Sequence, residues 1–132
     1  MTPQEFFKND AFATAAGIEI VSAKPGYAQA RLTVGAQHLN AGGRTQGGAL
    51  FTLADLAIAV AANMHGSMAF STTSNISFFR GSGVGETLVA EAKELYLHPR
   101  MANYQCDITN EKGELVAQMT AQLYRKDVPV PL

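Results

Sequence analysis

Apolar and polar positions change period several times along this chain. A segment that opens with Pro at a favourable first helical position and offers Phe6, Phe7 and Phe12 for docking onto a core predicts a short amphipathic helix from Pro3 to Ala15, ended by Gly17. From Ile18 the period becomes two. Ile18–Val21, a Lys24-Pro25-Gly26 turn, and Tyr27–Val34, where Ala28, Ala30, Leu32 and Val34 alternate with Tyr27, Gln29, Arg31 and Thr33, predict a half-buried hairpin. A loop, Gly35–Thr45, leads into an Ala- and Leu-rich stretch, Gly47–Asn63, that reads as a helix ending before Gly66. Alternation then returns in Ala69–Arg80, Leu88–His98, Met101–Thr109 and Glu114–Arg125. The connections between them are short, at 81–85, Pro99-Arg100 and Glu111-Lys112-Gly113, which predicts an antiparallel meander. The tail, Asp127–Leu132, is too rich in Pro to continue a strand and is expected to be loosely held.

The central stretch is the distinctive one. Between Ala49 and Ala62, 12 of 14 residues are apolar, so this helix is hydrophobic around nearly its whole circumference and needs an enclosing surface. It falls short of the about 20 apolar residues that span a bilayer. About five or six antiparallel strands can enclose one helix only by curling around it, which predicts an α+β fold with a central helix and a curved sheet. The length, 132 residues, suits a single domain from residue 1 to 132, with the 1–16 helix at one end and the 127–132 tail at the other.

Charge and cysteine usage narrow the function. A formal net charge of -1 without Lys/Arg runs lacks the basic footprint of a nucleic-acid binder. The single cysteine, Cys106, makes no internal disulfide, and MTPQEFFKND has no apolar run of a signal peptide, so a cytoplasmic protein is expected. His38, His65 and His98 show no metal-ligand spacing. Cys106 shares strand parity with Ala102, Tyr104 and Ile108 and reads as core.

Asp55 is the one charge on the apolar helix, too far from its start to serve as a cap. It is a structural acid reaching a loop amide or solvent, or a general base or nucleophile tuned by apolar surroundings. Gln46-Gly47-Gly48 precedes the helix, and its glycines either make a tight turn or let a ligand approach the free amides of the first turn. Amide donors and a carboxylate projecting from one helix are two parts of an acyl-transfer site. Asn40 and His38 lie on the preceding loop, where turn chemistry also accounts for them. Ser71-Thr72-Thr73-Ser74 offers hydroxyls on a strand that Thr equally favours. Gly81, Gly83 and Gly85 join two strands without a following Gly-Lys-Ser/Thr, so no P-loop is present. Arg80 and Arg100 at strand ends are surface residues or phosphate contacts. Phe51, Phe78, Phe79 and Tyr104 read equally as core or as an apolar lining.

The run His38-Leu-Asn-Ala-Gly-Gly-Arg-Thr-Gln-Gly-Gly-Ala-Leu-Phe-Thr-Leu-Ala-Asp55, continuing to Asn63, resembles the signature of hotdog-fold acyl-CoA thioesterases of the phenylacetic-acid-degradation type. Asn75-Ile-Ser-Phe-Phe-Arg-Gly81, Gly85–Ala92 and Gly113–Gln118 extend the resemblance over about Gly17 to Arg125. It implies a hotdog fold, a homodimer assembling to a homotetramer with inter-subunit active sites, and an acyl-CoA substrate, aryl or medium-chain. No cofactor is implied beyond the coenzyme A of the substrate itself. By resemblance, Asp55 is the catalytic carboxylate, Gly47 the carbonyl-polarising amide, and Asn40 the orienting side chain, with Gln46 beside them. Ser71 matches a water-binding hydroxyl on the partner's strand. Gly48, Arg80, Gly81, Ser82, His98 and Arg100 fall where relatives meet the substrate and its coenzyme A. The chain departs from the pattern at Gln46, where relatives usually carry His; Gln donates a hydrogen bond but cannot titrate. A non-catalytic acyl-CoA-binding protein is the alternative that this departure motivates. A hotdog dehydratase fits poorly, because Leu39-Asn40 follows His38 in place of Phe-Pro.

Overall fold

The computed structural model describes residues 1–132. One helix, α3 (Gly47–Asn63), lies against a six-stranded antiparallel sheet made of β1 (Glu19–Lys24), β2 (Tyr27–Thr33), β3 (Ser67–Phe78), β4 (Thr87–Leu97), β5 (Met101–Thr109) and β6 (Leu115–Pro129), in the order β1-β2-β4-β5-β6-β3. This is the α+β arrangement that the apolar helix demanded. Its close packing is legible in residue size. Ala28 and Ala30 on β2, Ala90 and Ala92 on β4, and Ala54, Ala57 and Ala61 on α3 are all fully buried, so small side chains on both surfaces let helix and sheet approach closely. Larger residues, Leu32, Leu53, Ile58, Leu88, Ile108 and Met119, fill the space around this contact.

Three expectations change. The N-terminal helix is broken into α1 (Pro3–Phe6), a 3-10 turn over Phe7–Asn9, and α2 (Ala11–Ala15). Asp10 leaves the helical conformation at φ -75°, ψ 87° and caps α2, accepting the Ala13 N–H at 3.0 Å; Asp competes with backbone helix bonds and favours this role. The meander holds only for β4-β5-β6. β3 pairs with β6 at the far edge, so the segment after Phe78 crosses to the middle of the sheet, where β4 pairs with β2 from Tyr27↔Lys93 to Thr33↔Thr87. The tail is not loose. β6 runs through Asp127 and Val128 to Pro129, which pairs with Ser67, and the Val130 N–H donates to Gly66 O at 3.0 Å. Pro129 lacks a donor but still offers its carbonyl, which suffices at a strand end.

Asn63 sets the relation between α3 and β3. Its amide donates to Ala59 O (2.8 Å) and Ala69 O (3.1 Å), while its carbonyl accepts the Ala69 N–H (3.1 Å). These bonds stop the helix and fix the start of β3. Period-two alternation then turns Ser71 to the same face as buried Ala69, toward α3.

Candidate active site

The loop before α3 is built on its own polar side chains. His38 is buried; its Nδ1 accepts the Gly35 N–H at 2.9 Å, so Nε2 carries the proton and donates to Ala16 O at 2.6 Å. Asn40 Oδ1 accepts from the Gly42 and Arg44 amides at 2.9 and 3.0 Å. Its carbonyl therefore shapes the loop, and only its NH2 group is left to meet a ligand. Ser82 corrects an expectation. It is buried, and its hydroxyl donates to Thr45 Oγ1 at 2.7 Å, so it pins the loop to the β3–β4 crossing and presents nothing to coenzyme A.

This loop delivers Gln46 as the N-cap of α3. Gln46 Oε1 accepts the Gly48 N–H at 2.6 Å, and Gln46 O accepts the Ala49 and Leu50 amides at 2.9 and 3.4 Å. Among the amides of the first turn, Gly47 N–H alone has no acceptor, which is the state an oxyanion donor requires. Both glycines have steric reasons. A Cβ on Gly48 would lie 2.5 Å from Gln46 Oε1, and one on Gly47 would lie 3.1 Å from Phe78 Cζ. Phe78 is thus a half-exposed ring beside the free amide, while Tyr104 is core. Phe51 and Phe79 are exposed.

Asp55 sits half-buried on α3. Burial pushes its carboxyl above the ordinary range, the Asp10 carboxylate adds to this, and the Ser71 hydroxyl pulls the other way. Ser71 thus lies close enough to Asp55 in the same chain to influence its carboxyl. A bulge in β3 between Ser71 and Thr73 accompanies this placement. Asp10 was not anticipated as part of the site; its only sequence signal was that of a helix cap. Asp55 and Gly47 are eight residues apart, about 12 Å along the helix axis at 1.5 Å per residue. A single carbonyl cannot touch both within one chain. The amide and the carboxylate that seemed to converge on one helix stand apart within a single chain.

The proposed coenzyme A contacts also separate. Arg80 is paired with Glu114 at 3.0 Å, and with Gly81 it borders a cleft in which three acids, Glu86, Glu111 and Glu114, outnumber Arg80 and Lys112. His98 and Arg100 border a different cleft of about 490 Å³ with Arg125 and Lys126, against one acid, Asp127. Arg100, Arg125 and Lys126 make no ion pair with a carboxylate, which leaves this cleft positive. Cys106 is buried and its thiol is pushed up by desolvation, as a core residue should be. No group of three His, Cys, Asp or Glu side chains has metal-binding geometry. No helix is long and apolar enough to cross a membrane.

An apolar helix gripped by a single antiparallel sheet, with a free N-terminal amide and a half-buried carboxylate on the same helix, defines a hotdog-fold protein built for thioester chemistry. The comparisons agree. Residues 42–117, more than half of the chain, match the family described as the Thioesterase superfamily, and the chain belongs to it. It is 37% identical over 119 residues to the acyl-coenzyme A thioesterase PaaI of Escherichia coli, covering 90% of this chain and 85% of that one. It is 33% identical over 104 residues to human acyl-coenzyme A thioesterase 13, covering 76% and 74%. The solved structure of the E. coli PaaI protein superposes with a TM-score of 0.91 at 35% identity, over 95% of this chain and 91% of that one.

Proposed function

We propose that the protein hydrolyses an acyl-CoA to the free acid and coenzyme A, in a site shared between two copies of the chain. The observation that carries this reading is the free Gly47 N–H at the head of α3, set beside a Gln46 cap that occupies its neighbours. The thioester carbonyl oxygen accepts from Gly47 N–H, reinforced by the positive end of the helix dipole. Asp55 in its ionised form draws a proton from water or attacks the carbonyl carbon itself, and its raised pKa makes it the more basic carboxylate. On the base route the hydroxide adds to the carbonyl carbon, the C–S bond breaks, and the proton taken up by Asp55 passes to the leaving thiolate. On the nucleophile route the thiolate leaves first, and water then opens the Asp55 anhydride, releasing the acid, regenerating the carboxylate and supplying the thiol's proton. In this reading Ser71 orients the water, and the Asn40 NH2 group meets the carbonyl. The cleft of His98, Arg100, Arg125 and Lys126 suits the phosphates of coenzyme A. No cofactor is needed beyond the coenzyme A that the substrate brings.

The separation of about 12 Å between the half-sites supports a dimer. β3 is a sheet edge of twelve residues, Ser67–Phe78, with neither a charge nor a proline to discourage pairing. Two copies joined edge to edge about a twofold axis run their α3 helices antiparallel, which carries Gly47 of one toward Asp55 of the other. Exposed Leu95, Tyr96 and Leu97 offer apolar surface for a further dimer-of-dimers contact. The lone buried Cys106 supports a reducing, cytoplasmic setting.

The binding-only reading rests on Gln46, which cannot titrate. Its observed task, capping Gly48, requires no proton, and this favours the enzyme. A free-thiol assay over aromatic, short and long acyl-CoA substrates decides between them. Thiol release that is lost in Asp55→Ala is expected; acyl-CoA binding without thiol release across the panel would establish the binding protein.

A further inference from the structure

We propose that the cleft between α2 and the first two turns of α3 receives the acyl group, and that Phe12 is the residue that sets which acyl groups fit. This rests on the thioesterase reading above and adds to it a place for the acyl chain. The cleft has a volume of about 560 Å³, within the usual range for ligand sites. It is lined by no Lys, Arg, Asp or Glu: half of its lining is apolar, Phe12, Ala15, Ala16, Leu39 and Ala49, and the rest is Gly48 and the polar Gln37, His38, Gln46 and Thr52.

Two features tie it to the chemistry. Gln46 and Gly48 flank the free Gly47 amide, so a carbonyl held there directs its acyl group along Gly48 and Thr52, a step of one helical turn. The walls are also held in place. Asp10 caps the start of α2, and the proton on His38 Nε2 fastens Ala16 O at its end, so α2 is fixed at both ends beside α3. In that helix Ala13 is the residue turned into the core, which leaves Phe12 outward with 75% of its surface exposed. An aromatic ring held in water beside an uncharged cleft gains from any apolar group that covers it. The charged cleft of Arg100, Arg125 and Lys126 has the complementary character, suited to the anionic end of the same molecule.

The test compares hexanoyl-CoA with acetyl-CoA in Phe12→Ala, Phe12→Leu and Ala15→Leu proteins. The ratio of kcat/KM for hexanoyl-CoA to that for acetyl-CoA is expected to fall about tenfold or more in Phe12→Ala, the scale on which a lost apolar wall discriminates. Phe12→Leu restores most of the ratio, and Ala15→Leu, which narrows the cleft, lowers it. Phe12 lies outside the core, so thermal melting checks that the fold is intact. Parallel changes for both substrates, an unchanged ratio, or a loss traced by sedimentation to weakened assembly would each overturn the proposal while leaving the thioesterase reading in place. If the wild-type protein releases no thiol from either substrate, the same ratio is taken from equilibrium binding; the thioesterase reading itself fails only if no substrate of the aromatic, short and long panel is hydrolysed. A preference for hexanoyl-CoA lost in Phe12→Ala then sustains the cleft, and an equal affinity in both proteins removes it.

Discussion

Replacing Gly47 by proline removes the amide hydrogen that the site is built around and puts the ring's Cδ on that nitrogen. The Gly47 N–H donates to no acceptor in the fold, so no structural hydrogen bond is lost. Proline is favoured at the first position of a helix, and Gly47 is not among the glycines with positive φ. The preceding residue must be extended, and Gln46 already is, at φ -69°, ψ 138°. The added Cβ lies 3.1 Å from Phe78 Cζ, on a residue that is 52% exposed, and the proline ring's Cδ takes the place of the lost hydrogen. Stability is therefore expected to stay within about 1 kcal/mol of wild type, the scale of proline's effect on the unfolded chain. Loss of an oxyanion donor costs about 10²–10³ in kcat, or about 2.7–4 kcal/mol in the barrier. Gly47→Ala is the control, because it keeps the N–H and introduces the same Cβ. A free-thiol assay with a matched denaturation series is the measurement. A folded Gly47→Pro protein whose kcat equals that of Gly47→Ala would refute the assignment of this amide.

Other consequences follow from burial and charge. Asp55 has a folded pKa above its unfolded value near 3.8, so the folded form binds the extra proton and stability falls as pH rises through the window between the two. Asp55→Asn is thus expected to melt higher than wild type at neutral pH, with the gain vanishing in acid below the unfolded value; equal melting at all pH values would contradict the burial argument. Asp10→Asn keeps an equally good cap for α2 but removes a neighbouring negative charge, so the acid limb of the pH–rate profile should move to lower pH with kcat on the plateau little changed. An unmoved limb would mean that Asp10 does not act on Asp55. Ala57→Leu forces a larger side chain between fully buried α3 and the alanine-lined sheet, and chemical denaturation should show a loss of about 1–3 kcal/mol.

Much of this was legible in the residues because it depends on period and composition. A helix apolar on all sides has few homes other than a curved sheet, and that helix and its enclosing sheet were readable from period alone. What the residues hid was relational. Strand alternation says which face a side chain takes but not which strand lies beside it, so β3 was read into a meander although it pairs with β6. Asp10 was read simply as part of one helix from Pro3 to Ala15; it caps a second helix, and the docking of that helix on α3 brings it near Asp55. Ser82 looked available until its hydroxyl was found on Thr45. The tail carried two prolines and still extended β6, because the N–H of Val130 between them remained free to pair.

The claim that two copies build one site has a direct measurement. Asp55→Ala and Gly47→Pro proteins, each inactive alone, are mixed under conditions where subunits exchange, and thiol release is followed. In a mixed dimer one of the two sites joins an intact Gly47 amide to an intact Asp55 carboxylate, and random exchange of equal amounts makes half of the dimers mixed. Recovery to about a quarter of the wild-type rate is therefore expected. Exchange demonstrated by mass or fluorescence, with activity no higher than the sum of the two variants, would contradict a shared site.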